Sequence, residues 1–232
     1  MRLQRNYPLR LLAGVFDAGL WLTDEQRKHI EEGLYRNGVM RTALANHGQM
    51  WGGRLYSNKD NWSLVCNGGV YLASVALLDV YPEVSADNIS QFTHGVEAAI
   101  KGFAPDGGWH EGPGYWNYAI QPFLKMVDTS MGVFGTEYGL MSSQGLNDTA
   151  AFRLAVQSAQ GTYNYADADA SKPDYPVSLI YLSEYYDEPG YAAMSVKNGS
   201  GGLYGLLWFD ESISIDAEPE LSLDNFYEGL QL

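Results

Sequence analysis

Apolar residues recur at helical spacing along most of this 232-residue chain. Thr23-Asp-Glu-Gln26 has the form of a capping box, in which hydroxyl and amide each satisfy a backbone N–H of the first turn. It opens a helix from Asp24 to about Arg36 with Ile30 and Leu34 on one face. Pro8 to Leu20 reads as a preceding helix. A further helix is predicted from Asn61 through Val65, Leu72, Val75, Ala76 and Leu77 to Tyr81, ended by Pro82, because the residue before a proline is pushed out of the helical region. Ser85 then caps 86–102, where Ile89, Phe92, Val96, Ala99 and Ile100 form a stripe. Tyr115 to about Met131 makes the next helix, with Pro122 as a potential kink. Shorter helices are predicted at 148–158, 175–186 and 189–197.

Gly199-Ser-Gly-Gly202 breaks this pattern. Beyond it, Leu203 to Phe209 and Ser212 to Ile215 read as a strand pair or an apolar tail, and the acids from Glu218 onward as a solvated end. The expected class is all-α, with helical hairpins stacked into an α/α layered or toroidal array over 1–198, and 199–232 forming a C-terminal tail. No sequence repeat of fixed period is present.

The apolar fraction of 46% is enough for a substantial core. With 28 acids against 14 bases, the net charge of −14 argues against nucleic acid, whose phosphates need a basic face. The same charge slows encounter with any polyanion at low salt. Cys66 is the one cysteine, which excludes an internal disulfide and a thiolate zinc cluster. The four histidines are dispersed, so neither a metal nor another cofactor is expected; His29 reads as solvated and His94 as lying at a helix interface. No run approaches about 18 apolar residues, and Met1 to Pro8 lacks the apolar stretch of a secretory leader, so neither a membrane partner nor targeting is predicted from this stretch.

The densest chemistry lies in Asp106-Gly-Gly-Trp109-His110-Glu111-Gly-Pro-Gly-Tyr115-Trp116-Asn117-Tyr118. Four glycines and Pro113 are expected to keep it irregular until Tyr115. So much ordering entropy spent beside so many functional groups suggests a site rather than a connector. Asp106 before Gly107 reads as a turn former. His110 and Glu111 could orient the loop through hydrogen bonds or act on a ligand directly. Trp62, Trp109 and Trp116 could stack on pyranose faces or pack in a core, and loop placement favours Trp109 for stacking. A second glycine-rich turn, Asn46-His47-Gly-Gln-Met-Trp51-Gly-Gly, offers His47 as a flanking contact or a surface histidine.

Two of these stretches, Asp60-Asn61-Trp62-Ser-Leu-Val-Cys-Asn-Gly-Gly69 and Pro105 through Ala119, resemble the helical domain of heparinase II/III-like polysaccharide lyases, relatives of oligoalginate lyases. The likeness extends from about Leu12 to Lys197. It implies an incomplete (α/α) toroid, normally followed by a β-sandwich, and β-elimination on uronic-acid glycans in the groove between the two. It also implies that Asn61 neutralises the uronate carboxylate and that Tyr115 is the phenol serving as base and acid. Both fall at helix starts in the reading above, where amide N–H groups and the helix dipole favour anions.

The chemistry requires such groups. Removing the proton beside a carboxylate builds an enolate, whose charge a hydrogen-bond donor must stabilise. A base must take that proton, and an acid must supply one to the departing glycosidic oxygen. The resemblance also implies a histidine in the β-sandwich, and no histidine follows His110. The expectation is therefore a central piece of a lyase, with an incomplete active site, that takes an acidic poly- or oligosaccharide as partner. The resemblance places signal-bearing relatives in the periplasm or outside the cell. Two other classes compete: a glycoside hydrolase on a similar toroid using Asp106 and Glu111 as paired carboxylates, and a non-catalytic helical carbohydrate-binding module.

Overall fold

The protein is described here from a computed structural model, at residues 22–40, 58–163, 165–169, 172–199, 201–221 and 227–228. It is all-α: eight α-helices and one two-stranded hairpin among the described residues. The chain divides into two compact units. The first comprises Met1–Ala99 with Lys125–Tyr138, and the second Ile100–Leu124 with Gly139–Leu232. The expected helix at Pro8–Leu20 and the His47 turn lie outside the described residues.

In the first unit, α1 (Asp24–Leu34) starts at the predicted capping box. Gln26 N donates to Thr23 Oγ1 at 3.2 Å and Thr23 N to Gln26 Oε1 at 2.8 Å. It runs into a π-helical turn, Tyr35–Val39, which buries Val39. The Tyr35 ring stacks on Tyr81 at 3.9 Å. Helix α2 (Asn61–Ala76) is capped by Asp60, whose Oδ1 accepts from Ser63 N at 3.1 Å. Helix α3 spans Pro82–Ala99.

The start of α3 corrects the sequence reading. Pro82 opens this helix, since proline has no N–H to lose in a first turn, and does not end α2, which stops at Ala76 with turns over 77–80 in between. Tyr81 O accepts the first intrahelical bond, from Ser85 N at 3.1 Å. Ser85 is thus an interior residue, fully buried, and not a cap. The α2–α3 seam buries Leu64, Tyr71 and Val75 with Ile89, Phe92 and Val96. The helices approach closely where Gly95 meets Asn67; a Cβ on Gly95 would lie 2.6 Å from Asn67 Nδ2. Asn88 Nδ2 donates to Val39 O at 3.2 Å and ties the π-helical turn to α3.

Helix α4 (Pro113–Phe134) continues through Pro122; its first half belongs to the second unit and its last turns to the first. In the first unit, Ser130 of α4 hydrogen-bonds the buried hydroxyl of Tyr71. His94 is exposed on α3, where its Nδ1 donates to Ser90 O at 2.8 Å; it is not at a helix interface.

The second unit continues with α5 (Thr149–Ala155) and a hairpin of β1 (Gln157–Ser158) and β2 (Gly161–Thr162), with Gln157 opposite Thr162. Helices α6 (Ser178–Tyr186) and α7 (Pro189–Lys197) form a tight hairpin. Asp187 takes a left-handed conformation between them, Glu188 N closes onto Ser183 O, and Pro189 opens α7. Arg153 is buried in α5; Nη1 donates to Gln157 Oε1 at 2.9 Å, and Nη2 donates to Asp174 O at 3.0 Å and pairs with its carboxylate at 3.6 Å.

Of Leu203–Phe209, expected as strand or apolar tail, all but the extended Phe209 is helical: α8 is Gly202–Trp208. A run of apolar residues without alternation leaves helix and strand equally open, and here the buried Trp208 seats the segment against Tyr181 of α6. Glu218, Glu220 and Glu228 are exposed, as expected of a solvated end, while the backbone near Glu218 and Tyr227 is held in place. Lys197 pairs with Glu218 at 3.3 Å, the backbone of Pro219 crosses Gly190 so closely that a Cβ there would be 2.3 Å from Pro219 N, and Tyr227 packs edge-on against Phe152.

Two buried tyrosines, Tyr71 and Tyr191, and the half-buried Tyr165 give the fold an alkaline limit. Burial holds the hydroxyls of Tyr71 and Tyr165 above the usual phenol range, and burial together with Glu188 and Asp148 pushes Tyr191 up to about 12. An unfolded tyrosine titrates near 10, so the folded state holds these protons more tightly; their contribution is complete below about pH 10 and is lost as pH rises toward the folded value. The urea midpoint should therefore fall between about pH 10 and 12, and Tyr191→Phe should shallow that fall. An identical slope in the variant would remove Tyr191 from the account.

Candidate functional site

The loop that the sequence singles out is pinned at every turn. After a 3-10 turn (Ile100–Phe103) and a cis Ala104–Pro105 bond, Asp106 Oδ1 accepts from Gly108 N at 3.2 Å, and its other oxygen accepts from Glu228 N. Asp106 is a turn former that also holds the C-terminal segment. With both oxygens bound to backbone N–H groups, it lacks the freedom that the hydrolase reading asks of one of its two carboxylates.

Gly107 sits at φ +83°, where a side chain would be strained, and a Cβ would meet Thr149 N at 2.5 Å. This contact brings the loop backbone onto the first turn of α5. Thr149 is fully buried; its Oγ1 donates to Gly107 O at 2.8 Å and accepts from Trp116 Nε1 at 2.7 Å. At the far end Gly112, φ +93°, lies against the 165–168 segment, where a Cβ would be 2.5 Å from Ala168 Cβ. Two of the glycines are therefore required by backbone packing, which accounts for them without invoking a ligand.

The structure separates the aromatic side chains into two kinds. Trp109 and Trp116 are fully buried. Trp109 packs on Phe103 with ring centroids 4.5 Å apart, and its carbonyl accepts from Tyr165 OH at 2.8 Å. Neither indole offers a face to a sugar, so the stacking role expected of Trp109 and Trp116 gives way to core packing: the inward turn of the loop carries both rings into the interior. Trp62 remains available, 57% exposed.

Tyr115 is 36% exposed in the first turn of α4, which begins at Pro113 and not at Tyr115. Its ring meets that of Tyr118, one turn on, nearly at right angles (79°) at 6.4 Å. Glu111 is buried just before the helix and His110 is half-buried beside the Trp109 ring. In the second unit the fold thus gathers Trp109, His110, Glu111, Tyr115 and Trp116 around one loop and helix mouth. Asn61 and Trp62 belong to the first unit, at the start of α2 directly after the Asp60 cap, and there Asn61 is enclosed at 3% exposure. Both groups named by the resemblance occupy the first turn of a long helix.

Sequence reasoning missed Thr149, Tyr165 and Tyr118 as partners of this loop. Tyr118 carried a signal in its three-residue spacing from Tyr115; Thr149 and Tyr165 carried none, since they arrive from elsewhere in the chain. Cys66 is half-buried, with its thiol pushed up by burial and by Asp60, as suits a packed and unreactive side chain. Among the described residues no group of three or more His, Cys, Asp or Glu side chains is placed to hold a metal, and no helix is long and apolar enough to cross a membrane. The chain matches no protein-family model and no curated protein sequence.

Trp116→Phe removes the donor to Thr149 Oγ1 and should cost about 1–3 kcal/mol, seen as a Tm lowered by about 2–4 °C per kcal/mol in a chain of this length; an unchanged Tm would show the bond to be dispensable. Gly107→Ala should destabilise by about 2 kcal/mol or more, because strain and overlap coincide. Gly114→Ala, with open space around its Cβ position in α4, should be neutral or stabilising by up to about 1 kcal/mol. Denaturant melts of the two variants that fail to diverge would contradict this division of the glycines.

Proposed function

We propose that this chain is the helical part of a uronate polysaccharide lyase, an incomplete (α/α) toroid over 1–198, with Tyr115 as proton-transferring phenol and Asn61 as the amide that quenches the uronate carboxylate. The observation that carries this reading is the placement of Tyr115: a partly exposed phenol in the first turn of a 22-residue helix, at the end of a loop held rigid by buried hydrogen bonds. The two motif resemblances supply the reaction class.

The physical logic is electrostatic. At a helix start the unpaired N–H groups and the dipole favour negative charge, which assists a phenolate and a bound carboxylate alike. Tyr115 takes the proton beside the carboxylate and returns one to the leaving glycosidic oxygen. Asn61 donates its amide hydrogens to the carboxylate as enolate charge develops. Since Asn61 is enclosed, this role requires substrate binding to uncover it. The substrate class is an acidic poly- or oligosaccharide, bound without metal or organic cofactor.

Incubation with alginate and with heparan-type chains should raise near-ultraviolet absorbance as unsaturated uronate ends form. Tyr115→Phe should abolish that signal while retaining binding, and Asn61→Ala should lower kcat more than it raises KM. New reducing ends without the chromophore would establish hydrolysis instead, and binding with neither product would establish a carbohydrate-binding module.

A further inference from the structure

Helix α8, Gly202-Leu-Tyr-Gly-Leu-Leu-Trp208, contains no charged side chain, and its polar groups are the Tyr204 hydroxyl and the Trp208 indole N–H. Its inner face is accounted for: Gly205 and Trp208 are buried, and the Trp208 ring meets Tyr181 edge-on at 5.1 Å and Tyr204 at 4.9 Å. Its outer face is not. Leu203 is 67% exposed, Leu206 78% and Phe209, just past the last turn, 42%; the spacing of three places them along one side. A surface helix ordinarily turns polar residues outward, and one that is apolar all round is ordinarily covered on both sides.

The stretch of sequence that carries this stripe is acidic beyond Lys197. Asp210 and Glu211 follow it directly, and from Asn198 to Leu232 the chain carries seven acids and no Lys, Arg or His. Glu211 and Asp216 are exposed. A second copy docked face to face would set acid against acid, and an anionic membrane surface would be repelled in the same way. The complementary surface is an apolar stripe flanked by positive charge.

We infer that the outer face of α8 is a docking surface for a basic amphipathic helix of a partner protein, with Leu203, Leu206 and Phe209 receiving its apolar stripe and Glu211 and Asp216 its Lys or Arg side chains. This inference stands apart from the sugar chemistry and survives its failure.

A fluorescent amphipathic Leu/Lys peptide, a scrambled peptide of the same composition and a Leu/Glu counterpart are titrated into the full chain. The Leu/Lys peptide should bind, more weakly as salt rises, and the scrambled peptide should bind about tenfold less tightly or worse. Leu203→Ser with Leu206→Ser, whose exposed positions leave helical circular dichroism unchanged, should raise Kd by about tenfold or more. Glu211→Gln with Asp216→Asn should also weaken binding and flatten its salt dependence. No binding, equal affinity for the scrambled peptide, or affinity unmoved by the serine variants would overturn the inference. So would sedimentation showing a dimer that Leu206→Ser dissolves, which would assign the face to a second copy.

Discussion

A single buried hydroxyl, Thr149 Oγ1, sets the local geometry of the second unit. It takes a hydrogen from the Trp116 indole and gives its own to the Gly107 carbonyl, joining the start of α5, the first turns of α4 and the glycine loop in one chain of bonds. In the interior each of these groups would be costly to leave unpaired, so the three elements are fixed together or not at all. The absence of a Cβ on Gly107 lets the backbones come close enough for the arrangement to close.

This bond chain decides which groups near the loop can do chemistry. Once Trp116 is turned inward to reach Thr149, Tyr115, its neighbour in the helix, is left on the outer side with Tyr118 beside it. Trp109 is drawn inward as well, its carbonyl held by a Tyr165 hydroxyl that burial keeps protonated and hence a donor. The loop thus divides into an anchoring set of indoles and a presenting set of phenols. A site built on an anchored helix start holds its groups more accurately than one on a free loop.

The C-terminal segment shows the same economy of polar contacts on an acidic chain. Glu218 meets Lys197, Pro219 crosses Gly190, and the Glu228 amide closes onto Asp106 at the opening of the glycine loop. Asp106 therefore links the end of the chain to the loop, a role for a carboxylate that no local pattern announces. Helix α8 stands out because Leu203 and Leu206 on its outer side stay exposed.

The sequence by itself determined the helices with strong local signals. The Thr23 capping box, the Asn61 start and the Pro189 helix appear where spacing and caps put them, since these features are settled by backbone groups a few residues apart. It also determined the all-α class and the position of Tyr115 near a helix start. Tertiary structure decided the rest. It turned Trp109 and Trp116 inward, folded Leu203–Trp208 as helix and bound the acidic end to the second unit. Each of those outcomes depends on a partner distant in the chain, such as Thr149 for Trp116 or Tyr181 for Trp208, and burial energy gathered at long range leaves no periodic mark on the local sequence.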